Sequence, residues 1–93
     1  MIFIETPIFT KYLRDYLDDD EYRELQHFLI DQPDAGEIIQ GTGGLRKLRW
    51  RLDGRGKRGG IRVIYYWHSS QDHIYFFTLY AKNEVSDLSN DEK

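Results

Sequence analysis

Residues 45–81 read LRKLRWRLDGRGKRGGIRVIYYWHSSQDHIYFFTLYA, three β-prone runs separated by two turn-rich breaks. In the first run, residues 45–52, Leu48, Trp50 and Leu52 alternate with Lys47, Arg49 and Arg51. A period of two sends alternate side chains to opposite faces of a strand, so one face packs on a core while the other presents three cations. Residues 54–60 form a glycine-rich connection. The second run, residues 61–67, is dense in β-branched and aromatic side chains, which suit a pleated sheet. Ser69-Ser70-Gln71-Asp72 reads as a turn, and residues 73–81 as a third strand. Three strands joined by short turns predict an antiparallel meander.

Upstream, the period changes. Ile2 to Glu5 is a short β-prone run that can add a fourth strand. Thr6-Pro7 has the form of an N-cap with proline at the first helical position, and Phe9, Leu13, Tyr16 and Leu17 follow at helical spacing. Asp18 with Glu21 three residues later has the form of a capping box, after which Tyr22, Leu25, Phe28 and Leu29 line one helical face. Pro33 ends that helix, because its ring cannot continue the hydrogen-bond ladder. The expectation is a single α+β domain over residues 1–93: a small antiparallel sheet of three to four strands with two N-terminal helices packed on one face. At the other end, Ser89 with Glu92 again resembles a capping box. It announces a helix that the chain does not carry, or it belongs to an ordinary polar tail.

The chain holds 93 residues, no cysteine and a net charge of -3. No disulfide framework or thiolate metal site can form, which fits a reducing compartment. The N-terminus has neither the basic region of a signal peptide nor a long apolar run, so the reading is soluble and cytoplasmic, with no membrane partner. The modest net charge hides a strong segregation. Residues 1–40 carry three basic and ten acidic side chains, residues 41–67 eight basic and one acidic, and residues 68–93 two basic and five acidic. That asymmetry points to a local anion-binding surface, with a solvated charged hairpin as the plain alternative.

Several motifs can be set aside. Residues 54–59, GRGKRG, match G-x-G-x-x-G literally, but a dinucleotide fingerprint opens a helix and here a strand follows. Arg58 stands where a Walker A loop needs Ser or Thr after Lys57. His27, His68 and His73 lack the spacing of metal ligands, and no cofactor is expected. What remains is a basic constellation of Lys47, Arg49, Arg51, Lys57, Arg58, Arg62 and Lys82, with Arg55 beside it in the glycine-rich tip. Such a cluster suits RNA phosphates, and arginine grips phosphate oxygens through bidentate, charge-assisted bonds. It also suits RNA cleavage through the 2′-hydroxyl, which needs a base, stabilisation of a charge-rich phosphorane and a proton for the leaving oxygen. Crowded cations depress a lysine pKa and make it a feasible base. The rings of Trp50, Tyr65, Tyr66, Trp67 and Tyr80 read as core, with base stacking as the alternative.

The segment Gly41-Thr42-Gly43-Gly44-Leu45-Arg46-Lys47-Leu48-Arg49-Trp50 resembles the HigB branch of the RelE-like (RelE/ParE) toxins. The likeness continues through Gly56-Lys57-Arg58-Gly59-Gly60-Ile61-Arg62-Val63-Ile64-Tyr65-Tyr66, through Leu79-Tyr80-Ala81-Lys82-Asn83-Glu84 and through Asp87-Leu88-Ser89, so it spans nearly the whole chain. The resemblance implies the toxin of a type II toxin–antitoxin system, a metal-independent endoribonuclease. Such a toxin enters the ribosomal A site, cuts the bound mRNA and inhibits translation, and a cognate HigA-like antitoxin neutralises it. It implies catalytic roles for Lys57, Arg62 and Lys82, with Arg62 on the transition-state phosphate and Lys57 or Lys82 as base. It implies RNA contacts from Lys47, Arg49, Arg51, Arg55 and Arg58. The alternative is a catalytically inactive member of the fold that only binds antitoxin, ribosome or RNA.

Overall fold

A computed structural model describes residues 1–52 and 60–81 of the chain. Its elements run β1 (Ile2–Glu5), α1 (Pro7–Tyr16), α2 (Asp19–Asp31), β2 (Glu37–Ile38), β3 (Leu45–Trp50), β4 (Ile61–His68) and β5 (His73–Ala81). The expected α+β class holds, with both helices on one face of the sheet. The sheet has five strands rather than three or four, in the order β1-β5-β4-β3-β2. It is mixed: β1 runs parallel to β5, and every other pairing is antiparallel.

The helix starts follow the local chemistry. The Thr6 hydroxyl accepts from the Phe9 N–H at 3.1 Å, with Pro7 at the position where a missing N–H costs nothing. At Asp18 the capping box is complete: its carboxylate accepts from the Glu21 N–H, and the Glu21 carboxylate accepts from the Asp18 N–H, both at 2.8 Å. Asp19, Asp20 and Glu21 also place negative charge at the positive end of the helix dipole.

Both helices turn their apolar stripes to the same sheet face. Phe9, Leu13, Leu17, Leu25 and Leu29 meet Leu48, Ile61, Val63, Tyr65, Ile74, Phe76 and Leu79 in one buried cluster. Phe76 is its centre, stacked on Phe9 with 4.6 Å between centroids and on Phe3 with 5.6 Å. Trp50 is half-buried against the cluster, 5.3 Å from the Phe28 ring. Tyr65 is fully buried and fixes the linker after α2: its hydroxyl donates to the Pro33 carbonyl at 2.8 Å and accepts from the Gly36 N–H at 2.9 Å. Arg46 holds the same linker, donating to the carbonyls of Gly36 at 2.7 Å and Asp34 at 3.1 Å. One cation of the basic segment is therefore structural.

Two departures have physical causes. The β4–β5 register shifts between Ile64 and Tyr65, because Ile64 pairs with Thr78 and Tyr65 with Phe76. The extra residue is Phe77, which the bulge leaves 41% exposed. β3 stops at Trp50, two residues before the alternation of Leu48, Trp50 and Leu52 runs out. Gly60, at φ +63, brings the chain into β4 so close to β3 that a Cβ there would overlap the Trp50 carbonyl.

Candidate functional site: the helix-free sheet face

The side chains that alternate away from the helices form ordered rows across β3, β4 and β5. Arg49 faces Arg62, which faces Tyr80. Lys47, Ile64 and Thr78 make the next row, Leu45, Tyr66 and Tyr75 the third, and His68 and His73 the fourth. Successive rows stand about 7 Å apart, two residues along a strand. Ile64 is only 6% exposed yet lies outside the helix-side cluster.

The first two rows form the cationic half. Lys47 and Arg49 are exposed, whereas Arg62 is 8% exposed, with its guanidinium 3.4 Å from the Ile61 carbonyl. Arg49 and Arg62 are paired across the β3–β4 ladder, a register in which like charges disfavour each other. Glu37 on β2 stands opposite Lys47, and both line a shallow depression with Ala35, Leu48 and Arg49. Tyr80 completes the Arg62 row. Burial pushes its hydroxyl pKa up, and the nearby Arg62 charge opposes that shift only in part. At neutral pH Tyr80 is therefore a protonated donor beside a cation.

Of the candidate residues, the fold brings Lys47, Arg49 and Arg62 together. Arg51 is a correction: it lies past the end of β3 and does not share their face. It is exposed instead beside Glu24, His27 and Trp50 at the α2 edge. Arg55, Lys57, Arg58 and Lys82 lie outside the described residues. His68 and His73 stand opposite each other across the β4–β5 hairpin, as their positions about the turn suggest. Sequence reasoning missed Tyr80, which reads as one ring among many. The usable signal was its parity with Thr78 and its place two residues beyond it, on the same face as Arg62 once the strands are paired.

Among the described residues, no three histidine, aspartate or glutamate side chains converge as metal ligands, and no helix is long and apolar enough to cross a membrane.

Two solved structures share this architecture. A mutant of the E. coli toxin RelE in the free state superposes with a TM-score of 0.62 at 14% identity, covering 91% of this chain and 86% of that one. The intact E. coli RelBE toxin–antitoxin complex contains a chain that superposes with a TM-score of 0.60 at 13% identity, covering 84% of this chain and 92% of that one. At such identities the likeness speaks for the fold. The profile of the RelE toxin of the RelE/RelB toxin–antitoxin system matches residues 3–93. By that match, over almost its full length, the chain belongs to the RelE toxin family.

Proposed function

We propose that this chain is a HigB-type, ribosome-dependent mRNA endoribonuclease that acts in the cytoplasm, blocks translation and is neutralised by a HigA-like antitoxin. The observation that carries the reading is the Arg49–Arg62 pair, flanked by Lys47 and Tyr80, on the sheet face that the helices leave open. Three cations within two rows can grip one phosphodiester and its neighbour.

The chemistry uses the RNA's own 2′-hydroxyl. A base removes its proton, O2′ bonds to phosphorus, the P–O5′ bond breaks, and a proton passes to O5′. The products are a 2′,3′-cyclic phosphate and a 5′-hydroxyl. Arg62 and Arg49 stabilise the charge that accumulates on the phosphorane oxygens, and the fixed strand positions mean little reorganisation at the moment of reaction. The Tyr80 hydroxyl donates a further hydrogen bond to the same phosphate. Lys57 or Lys82 supplies the base, and Arg55 and Arg58 add contacts to flanking phosphates.

Induced expression in bacteria tests the reading. Wild type should arrest growth, the cognate antitoxin should relieve the arrest, and Arg62→Ala should be harmless while still binding antitoxin. Full arrest by folded Arg62→Ala would remove Arg62 from the mechanism and favour a toxin that acts by binding alone.

A further inference from the structure

The aromatic half of the open face has no part in the phosphate chemistry. Tyr66 and Tyr75 face each other on β4 and β5 with ring centroids 6.3 Å apart. His68 sets its ring edge-on to Tyr66 at 6.1 Å, and His73 meets Tyr75 edge-on at 6.2 Å. Gly44 closes the other side of Tyr66: a Cβ there would come within 2.9 Å of Cε1. The rings are thus held from several sides yet only half-buried, and a surface fixed in advance loses little entropy when something stacks on it. Both helices lie on the far side of the sheet.

We infer that Tyr66 and Tyr75 form a stacking platform for an unpaired nucleobase of the RNA strand whose phosphate sits at Arg49 and Arg62. The inference rests on the RNA reading of this face given above. Tyr66 is four residues from Arg62 on one strand, about 13 Å, which places the base a short way along the chain from the held phosphate. Charge favours this occupant. β3, β4 and β5 contain no acidic residue, in a chain whose net charge is -3. A polyanion with flat bases matches a face that is cationic at one end and aromatic at the other. Stacking tolerates any base, so the platform would set position along the strand more than sequence.

The test compares two short, dye-labelled 2′-O-methyl strands that cannot be cut through the 2′-oxygen: an oligoadenylate, and a matched strand lacking its bases. Anisotropy should show wild type binding the base-bearing strand about 5- to 100-fold more tightly. Tyr66→Leu/Tyr75→Leu should bind both strands equally, with affinity for the base-free strand unchanged. Tyr66→Phe/Tyr75→Phe, which keeps the rings, should retain the preference. Photocrosslinking of a 5-iodouridine strand to wild type should label Tyr66 or Tyr75, a readout that needs no variant.

Equal affinity of wild type for both strands, or a preference that survives in the leucine variant, overturns the platform, as does absence of measurable binding to the oligoadenylate. A leucine variant that loses antitoxin affinity and keeps the base preference would assign the face to a protein partner instead. The cleavage reading is judged separately. A tyrosine-dependent preference in a protein that cuts no message keeps the platform and removes the nuclease, and normal cutting with no preference does the reverse.

Discussion

Arg49 and Arg62 stand directly opposite each other on antiparallel strands, two like charges in the register position where repulsion is greatest. Tyr80 extends the row on the far side of Arg62.

Arg49→Leu should leave stability unchanged or raise it by up to about 1 kcal/mol at low salt, because it removes an exposed charge paired in register with another cation. The same variant should bind single-stranded RNA more weakly, with a shallower dependence of affinity on salt. Thermal melts and a salt titration check both halves. A variant that melts well below wild type would mean that Arg49 is structural.

Tyr80→Phe should lower the cleavage rate by about 10- to 100-fold, the usual worth of one hydrogen bond to a charged group. The melting temperature should change little. Single-turnover kinetics on programmed ribosomes would measure it. An unaltered rate would leave Tyr80 as a packing residue beside Arg62.

Tyr65→Phe removes the hydroxyl that serves both the Pro33 carbonyl and the Gly36 N–H. Stability should fall by about 2 kcal/mol, since buried backbone groups lose their partner. Chemical denaturation checks it, and loss of less than about 0.5 kcal/mol would show that the linker finds other partners.

Gly60→Ala should be more damaging. Its positive φ already disfavours a side chain, and the new methyl would overlap the Trp50 carbonyl of the neighbouring strand. Destabilisation of more than about 2 kcal/mol is expected by melting or denaturant titration. A wild-type melt would contradict the close approach of β3 and β4 at this point.

Much of this architecture is legible in the residues themselves. Period-3.6 stripes and capping residues announce α1 and α2, and Asp18 with Glu21 marks the second start to the residue. Alternation exposes β3 and the shared face of Lys47 and Arg49, which Arg62 joins only through the register of β4 with β3. β2 is not legible, because two residues carry no period; Glu37 and Ile38 become a strand only through their register with Lys47 and Arg46. Arg51 misleads for the opposite reason: its parity continues past the point where the chain leaves β3. The bulge at Phe77 is a tertiary compromise that shifts the pairing by one residue, and only paired strands bring Tyr80 beside Arg62. The parallel placement of β1 beside β5 likewise depends on packing, through the stack of Phe3 on Phe76.

The most direct measurement is primer extension on a translated mRNA, with and without ribosomes, using wild type, Arg62→Ala and Arg62→Lys. A ribosome-dependent nuclease that works through Arg62 gives discrete cuts that need both ribosomes and wild-type protein, no cuts from Arg62→Ala, and few from Arg62→Lys, which keeps the charge but loses the planar fork. Cuts at the same positions from folded Arg62→Ala, or none from folded wild type, would contradict that mechanism.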